Sequence, residues 1–372
     1  MYEQLYSRIQ QCSTIAVTSH FRPDGDAIGS TLALGLVLQS LGKKVYMWNE
    51  DGVPARYAFL GGAELIQPLP DAVPADVEML ICVDTGDWKR LGDRTQQLLA
   101  DFPLIVNIDH HGTNTRYGHM QIIEPETAAC AYVLFNMLKA WGVKLSKAMA
   151  DALYVGISTD TGSFQYGSTT PGVMHAAGEL LAAGVDVADV NRRVYQEVPY
   201  TSLLMQREVL NHMVVEAAGQ LAHYSMPAGR KTELGVTLED TKDLVDVVRV
   251  LQGVRVAVIF EDLEDGRIRM SLRSKDPAIS VAAIAAQFGG GGHAMASGIR
   301  MRGELAACRE QVLNAIRKEL AVRVRWNNPA GCCWWIRTRA LLRTMQWRSA
   351  AVFCRRRRWA IAARWIPWPR AC

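Results

Sequence analysis

The sequence has no apolar run as long as a membrane-spanning helix, so we expect no transmembrane segment. Its first residues, MYEQLYSRIQQCSTIAV, carry an early acid and no long apolar core, so we expect no secretory signal there. Residues 1–322 hold only four cysteines, widely spaced and mostly in apolar surroundings. Such cysteines are typical of buried, reduced thiols, and we therefore expect a cytoplasmic protein that does not bind a membrane.

Residues 323–372 lack both lysine and acidic residues, although they hold 12 of the 41 basic residues of the chain. All 37 acidic residues lie before this tail, so residues 1–322 carry a formal charge of −8. An acidic body is not typical of a protein that coats nucleic acid nonspecifically. Any phosphate that binds to it must therefore meet a local group of cations.

The same tail holds seven of the ten tryptophans and four of the eight cysteines, and it shows no helical or strand period. Crowded Trp, Arg, Cys and Pro are typical of out-of-frame translation of GC-rich DNA, so one hypothesis is a frameshifted end. A basic, aromatic arm that stacks on nucleic-acid bases and a membrane-surface segment are the alternatives. We assign no function to this tail.

Short apolar segments alternate with longer helical patterns in the first half of the chain. Strand patterns occupy 14–19, 45–48, 79–83 and 104–108, and helical patterns occupy 27–44, 126–143 and 175–185. The alternation predicts an α/β fold with a doubly wound, mainly parallel sheet. We read 27–44 as an amphipathic helix and 186–215 as a helical connector that is polar on one side.

The second half of the chain predicts a smaller α/β domain. A strand at LAHYSMP is followed by a helix over 238–254, two strands around a Glu-Asp-Gly turn, a helix, the run GGGGH, a short strand and a last helix. We therefore expect a first domain over 1–185, a connector over 186–219, a second domain over 220–322 and the tail over 323–372.

Acids and histidines follow the apolar strands at the points where these strands end. The residues concerned are His20, Asp24, Asp26, Asp84, Asp109, His110 and His111. A further acid, Asp160, lies in GISTDTGSF, which periodicity allows either as a strand end or as a helix. Because ligand sites of doubly wound sheets form at the carboxyl ends of the strands, we expect these side chains to converge in one crevice.

A single aspartate after a strand is usually the N-cap of the next helix, and a single pair of histidines is usually a surface feature. Capping gives no reason for five carboxylates and three imidazoles at one edge, where the carboxylates would repel one another. Mixed Asp and His ligands without Cys suit Mn²⁺, with Mg²⁺, Co²⁺ and Zn²⁺ as alternatives. The number of ligands fits two metal ions that share one carboxylate.

Five segments together resemble a known superfamily. HFRPDGDAIGS, VDTGD, NIDHHGTN and GISTDTGSF resemble the four motifs of the DHH phosphoesterases, and GGGGHAMASG after SLRSK resembles their DHH-associated C-terminal domain. Spacing and length over 1–322 are similar to those of the bacterial nanoRNases. These enzymes combine an oligoribonuclease activity with removal of the 3′-phosphate from 3′-phosphoadenosine-5′-phosphate (pAp). The resemblance does not extend to the tail.

The resemblance implies a role for each residue that it covers. One metal ion would be held by His20, Asp24 and Asp84, and a second by Asp26, Asp84, His110 and Asp160. Asp109 would orient the ligands, and His111 would contact the phosphate or protonate the leaving group. Substrate would be bound by Arg273, Gly290, Gly291, Gly292 and His293, with the glycine run expected to be a loop whose N–H groups approach an anion.

The resemblance also implies a function and partners. The chain would be a phosphoric ester hydrolase with two divalent ions, most simply Mn²⁺, acting on short single-stranded RNA, dinucleotides and pAp, and such enzymes often form homodimers. One alternative is a phosphodiesterase for linear dinucleotides such as pApA and pGpG. An alternative of a different class is a catalytically inactive nucleotide-binding regulator, which should have lost ligands that this sequence retains.

Overall fold

The structure is a computed structural model that describes residues 1–324 except 101, 126, 238 and 242. The hypotheses about the tail therefore concern residues outside the described part, apart from positions 323 and 324 at the end of the last helix.

The first half of the chain forms a six-stranded sheet in which every neighbouring pair is parallel. Its strands are β1 (Thr14–Thr18), β2 (Lys44–Trp48), β3 (Ile66–Gln67), β4 (Met79–Val83), β5 (Ile105–Asp109) and β6 (Met120–Ile123). Their order is β3-β2-β1-β4-β5-β6, so the chain starts in the middle and winds outward in both directions. The predicted doubly wound parallel sheet is confirmed.

Six helices accompany this sheet in the described part of the first domain: α1 (Tyr2–Gln11), α2 (Gly25–Ser40), α3 (Asp93–Leu99), α4 (Cys130–Ala140), α5 (Lys147–Asp160) and α6 (Pro171–Ala182). Successive strand residues point to opposite faces, so Ile81 packs in the core on the face of α2, α4 and α5, whereas Leu80 packs in the core that includes α3. Both faces of the sheet are buried, which explains why its central strands read as continuous apolar runs.

The expected helix over 27–44 is α2, but its amphipathic interpretation is wrong. Every residue of α2 from Gly25 to Gly35 is buried, because α4 and α5 pack against it in addition to the sheet. The helix ends at Ser40, and Gly42 follows in the left-handed conformation with φ +79°. The undecided segment that contains Asp160 is the C-terminal part of a helix, α5.

The predicted helical connector consists of two helices, α7 (Val187–Asn191) and α8 (Tyr200–His212), with a π-helical turn over Arg192–Gln196 between them. Pro199 is the N-cap of the second helix and separates it from the preceding turn, since proline cannot continue a helix. The helical prediction up to residue 215 extends too far, because β7 (Val214–Glu216) already belongs to the next sheet.

The second sheet also has six strands, in the order β11-β12-β10-β9-β8-β7. After β7 these are β8 (Leu221–Met226), β9 (Val256–Asp262), β10 (Arg267–Ser274), β11 (Gly291–His293) and β12 (Ala296–Arg302). All neighbours are antiparallel except β8 and β9. The helices of this region are α9 (Arg230–Leu234), α10 (Leu244–Arg249), α11 (Val281–Ala286) and α12 (Leu305–Val324).

Each face of the second sheet has its own apolar core. Val258 and Leu272 pack against α11 and α12, whereas Ala257 and Ile259 pack against α8 and α10. Within the described part of the chain, no helix combines the length and the apolar character needed to cross a bilayer.

Candidate metal centre

Three neighbouring strands deliver the core of the site. β1, β4 and β5 lie side by side, and their carboxyl ends lead directly to His20, Asp84 and the Asp109-His110 pair. All four residues are buried, with exposures of 4 % or less. They converge at one edge of the sheet because parallel strands all end on the same side.

Two more carboxylates come from the start of α2. Asp24 is the N-cap, and its Oδ1 accepts the N–H groups of Asp26 and Ala27 at 3.0 Å each. Its Oδ2 takes no part in the cap and lies 3.7 Å from His20 Nε2. Capping therefore does explain Asp24, but it occupies only one of the two carboxylate oxygens.

The carboxylate of Asp26 is completely buried and held by three donors. The Cys130 and Ala131 N–H groups donate to it at 2.6 and 2.8 Å from the start of α4, and Ser30 Oγ donates at 3.2 Å. Its Oδ2 lies 3.8 Å from His110 Nε2. The helix dipole of α4 adds a favourable interaction with this negative charge.

Asp160 reaches the site from the last residue of α5, and glycines make this possible. A Cβ at Gly29 would lie 2.3 Å from the Ala152 carbonyl oxygen, and one at Gly156 would lie 2.8 Å from Asp26 Oδ1. Only glycine permits such a close approach of α2, α4 and α5. Because the helices lie so close together, Asp160 Oδ2 comes within 3.1 Å of His110 Nε2.

Asp84 lies at the centre of the cluster. Its Oδ2 is 3.4 Å from His20 Nε2, and its Oδ1 is 3.6 Å from His110 Nε2 and 3.8 Å from His111 Nδ1. The residue has φ +49°, a left-handed conformation that costs a non-glycine residue about 1–2 kcal/mol. Strained backbone of this kind is found mainly where the position of a side chain matters for function.

Mutual contacts decide which groups of the cluster stay charged, because burial favours the neutral form of each. Although burial opposes it, the neighbouring carboxylates raise the pKa of His20 to about 10 and hold the pKa of His110 well above its usual value. The same imidazoles hold the pKa of the buried Asp84 well below its usual range. Burial and the negative charges of Asp84 and Asp160 raise the pKa of Asp26 well above its own usual range. The crowded carboxylates thus favour bound protons on their neighbours, and a divalent cation in place of these protons would neutralise the same negative charge.

The donor set fits divalent cations. His20, Asp24 and Asp84 offer ligand atoms that all lie within 4.8 Å of one another, and so do Asp26, Asp84 and His110. Asp84 Oδ1 and His110 Nε2 are buried without a hydrogen-bond partner, which is costly unless a cation or a donor meets them. Carboxylate and imidazole ligands without sulfur suit ions such as Mn²⁺ and Mg²⁺.

The side chains of Asp109 and His111 form a pair next to the cluster. His111 Nδ1 lies 2.8 Å from Asp109 Oδ1, and this hydrogen bond, together with the charge of Asp84, raises the pKa of His111 against the effect of burial. Asn114 Nδ2 donates to Asp109 Oδ2 at 2.6 Å and to Asn107 Oδ1 at 2.9 Å. Sequence reasoning missed Asn114, although it lies in the quoted NIDHHGTN segment.

Two backbone contacts to the histidines were not expected from the sequence. The carbonyl oxygen of Thr127 lies 3.2 Å from His110 Nδ1 and so fixes which ring nitrogen faces the cluster. The carbonyl oxygen of Phe21 does the same for His20 at 2.9 Å. Backbone partners of this kind carry no signal in the sequence.

The second sheet contributes His293 to the same place. Its ring stacks on His111 at 4.6 Å between centroids and lies 5.5 Å from the ring of His110. The expected glycine loop is wrong for the end of the run, because Gly291–His293 is the edge strand β11. A Cβ at Gly290 or Gly292 would lie 2.3 or 2.6 Å from a carbonyl oxygen of the neighbouring β12. Close packing within the sheet therefore requires these glycines, whereas Gly291 has open space beside it.

Arg273 lies on β10, opposite Ala296, which in turn lies opposite His293. Its guanidinium is partly buried, with Nε 3.9 Å from Asp246 Oδ1 and Nη1 donating to the Leu272 carbonyl oxygen at 3.2 Å. It lines a cavity of about 190 Å³ together with Ser271. Arg273 is thus in the same row of the second sheet as His293.

Comparison with known proteins agrees with this arrangement. The model of the DHH family N-terminal domain matches residues 14–157, and the model of the DHHA1 domain matches residues 219–322. A bifunctional oligoribonuclease and PAP phosphatase of Thermus thermophilus is 34 % identical over 311 residues, which are 82 % of this chain and 90 % of that protein. The protein of the same name from Bacillus subtilis is 25 % identical over 301 residues. These residues are 80 % of this chain and 92 % of the Bacillus subtilis protein.

A solved structure has a similar fold. The crystal structure of an exopolyphosphatase-related protein from Bacteroides fragilis superposes with a TM-score of 0.77 and 26 % identity. The superposition covers 87 % of this chain and 96 % of that one. Both regions of the fold, the parallel sheet and the second sheet, therefore have counterparts in one known structure.

Proposed function

Because the chain belongs to the DHH family, we propose that it is a metal-dependent phosphoesterase that hydrolyses short oligoribonucleotides to mononucleotides and removes the 3′-phosphate from pAp. The names of its relatives from Thermus thermophilus and Bacillus subtilis support these two substrates. The observation that carries the proposal is the position of Asp84, whose two oxygens face different histidines of one buried cluster.

Two divalent ions, most simply Mn²⁺, would be held by the cluster. His20, Asp24 and Asp84 would hold one ion, and Asp26, Asp84, His110 and Asp160 the other. When bound, such a pair of ions polarises a phosphate ester and lowers the pKa of a water molecule so that it becomes nucleophilic near neutral pH. Support comes from the unpartnered Asp84 Oδ1 and His110 Nε2, which need a cation or donor.

The pair of Asp109 and His111 would act on the substrate side. Asp109 accepts from His111 Nδ1, so the other ring nitrogen of His111 is free to meet a phosphate oxygen or the leaving oxygen. The raised pKa of His111 favours its protonated form, which can donate a proton. Asn114 holds the second oxygen of Asp109 and so fixes the direction of the pair.

The other end of the substrate would bind to the second sheet. Arg273 would form paired hydrogen bonds with a phosphate, His293 would donate to an oxygen, and Gly290, Gly291 and Gly292 would let their backbone N–H groups come close. The row that Arg273, Ala296 and His293 form across the sheet supports this proposal. A short distance between the two ends would favour very short strands and pAp over long RNA.

We also propose that the enzyme acts in the cytoplasm and as a homodimer. The four cysteines of the described residues are buried and unpaired, which suits a reducing compartment. Sedimentation of the purified protein would test the homodimer, with a mass twice that of the chain as the expected result.

The decisive experiment is a side-by-side assay of product release with Mn²⁺ on pAp, a dinucleotide, a 24-mer RNA and pyrophosphate. Fast turnover of pAp and the dinucleotide, with slow turnover of the 24-mer, is expected. Preference for the 24-mer or for pyrophosphate would keep the metal centre but contradict the substrate assignment. Lack of metal-dependent turnover of all four would contradict the proposed function itself and favour an inactive nucleotide-binding regulator.

A further inference from the structure

One face of the second sheet carries a row of arginines. Side chains alternate along β10, where Ile268, Met270 and Leu272 are buried against α11 and α12. The opposite face of β10 and of its neighbour β12 therefore carries Arg267, Arg269, Ser271, Arg273, Arg300 and Arg302. This is the face to which α10 and the cavity beside Arg273 belong.

The arginines of the two strands lie directly opposite one another. Arg267 pairs in register with Arg302, and Arg269 pairs with Arg300. Like charges in directly opposite positions destabilise a sheet. Two consecutive pairs of this kind in a body of net negative charge are therefore difficult to explain by folding alone.

Residues of the first domain extend this positive surface to the metal centre. The Arg300 and Arg90 Cζ atoms each lie 5.5 Å from the ring centroid of Phe21, and Arg22 Cζ lies 6.0 Å from it. Phe21 directly follows His20, and Arg90 Nη2 is 3.5 Å from His20 Nδ1. Three guanidinium groups thus surround one aromatic ring beside a residue of the cluster.

Carboxylates neutralise only part of this surface. Arg267 pairs with Asp265, and Arg269 pairs with Glu261. In contrast, Arg22, Arg90, Arg300 and Arg302 form no ion pair with any carboxylate that the structure describes. We call these four residues the arginine track. Burial and the neighbouring guanidinium charges lower the pKa of Arg300, as expected where positive charge lacks a counter-ion.

We propose that the arginine track binds internal phosphodiesters of a single-stranded oligoribonucleotide whose terminal phosphate lies at the metal centre. The proposal rests on the proposed function and adds a second contact region to it. Guanidinium groups bind phosphate oxygens in pairs, and their flat faces stack on unpaired bases. Because residues 1–322 carry a net negative charge, such a local positive track is a favourable place for a polyanion to bind.

The length of the track indicates how much of a strand it contacts. Six residues separate Ala296, which lies opposite His293, from Arg302, and this corresponds to about 20 Å of β-strand. A strand of several nucleotides spans this distance, whereas pAp does not extend beyond the end near His293. The two β12 residues of the track, Arg300 and Arg302, therefore contribute to binding of oligonucleotides but not of pAp.

Binding measured without hydrolysis tests the proposal. A fluorescent single-stranded RNA hexamer is titrated with the full chain in EDTA, and Kd is measured at several salt concentrations. Combining Arg300→Ala with Arg302→Ala should raise Kd about tenfold and lower the slope of log Kd against log salt by about 1.4, since each lost phosphate contact removes about 0.7. Combining Arg300→Lys with Arg302→Lys keeps both charges and should retain the slope.

Arg309→Ala is the matched control, because it removes an arginine from α12 on the opposite face of the sheet and should leave Kd unchanged. Hexamers with and without a 5′-phosphate should lose affinity equally in the alanine variant, and competition by pAp should not change. Unchanged hexamer binding, an equal loss in the Arg309 control, or a loss confined to the 5′-phosphorylated hexamer would overturn the proposal. None of these results depends on catalysis, so a failure of the proposed hydrolysis is recognised separately in the product-release assay.

Discussion

Replacing Asp84 by asparagine should remove most of the stabilisation that Mn²⁺ gives to this protein. The substitution keeps the size of the side chain and tolerates the left-handed backbone at φ +49°, since asparagine adopts this conformation as readily as aspartate. It removes the one negative charge that faces both His20 and His110. Both proposed metal positions therefore lose the shared negative charge, and one of them also loses its oxygen ligand, because the amide keeps only one oxygen.

The size of the effect follows from the linkage between binding and folding. Mn²⁺ at 100 times its Kd stabilises the wild type by about 2.7 kcal/mol per site, which raises Tm by about 5–10 °C for a domain of this size. Loss of even a supporting contact to a metal ligand costs up to about 100-fold in affinity. At the same Mn²⁺ concentration, a 100-fold loss leaves about 0.4 kcal/mol and a shift of about 1–2 °C.

Thermal unfolding of each variant with and without Mn²⁺ measures this difference, and each variant serves as its own metal-free reference. Asp243→Asn is the control, because Asp243 also has a left-handed backbone, at φ +58°, but lies outside the cluster. The control should keep the full Mn²⁺ shift. A full shift in the Asp84 variant would refute the assignment of this cluster as a metal centre that depends on Asp84.

Three further predictions follow from the same geometry. Arg273→Ala should raise KM for a dinucleotide about tenfold, because a charged hydrogen bond to the substrate is lost, and it should leave the Mn²⁺-induced Tm shift unchanged. Arg309→Ala is the control, and equal kinetics in the two variants would exclude Arg273 from substrate binding. Gly156→Ala should place a methyl group 2.8 Å from Asp26 Oδ1 and weaken Mn²⁺ binding at least about tenfold by calorimetry, and unchanged affinity would contradict the role of close helix packing. A chain that ends at Val324 should hydrolyse pAp at the full-length rate in the product-release assay, and a lower rate would assign a function to the tail.

Local sequence patterns were sufficient to predict most of the first domain. The strand predicted at 79–83 is β4, Met79–Val83, and that at 104–108 differs from β5 by one residue. Parallel strands end on one side of a sheet, so the positions of His20, Asp84 and Asp109 next to one another followed from the order of strands and helices. Residue type then indicated the chemistry, since buried carboxylates and imidazoles at one edge require cations.

Other features depended on contacts between distant segments and could not be predicted in this way. The periodicity around Asp160 did not distinguish a strand from a helix, and packing of α5 on α2 through Gly29 and Gly156 decided its position. The residue pattern of α2 suggested an amphipathic helix with one exposed face. A local pattern does not reveal that other helices pack around α2 and bury that face as well.

The sequence alone determined most elements of the first domain and the set of ligand types, because strand and helix periods and the ends of parallel strands are local properties. Only the tertiary structure decided that His293 stacks on His111, that the glycine run ends in an edge strand, and that an arginine of β12 meets Phe21 beside the metal centre. The contacts of His293 and Arg300 with the first domain join residues that are far apart in the chain. They arise from the way in which the second sheet faces the carboxyl ends of the first, and no local period encodes that arrangement.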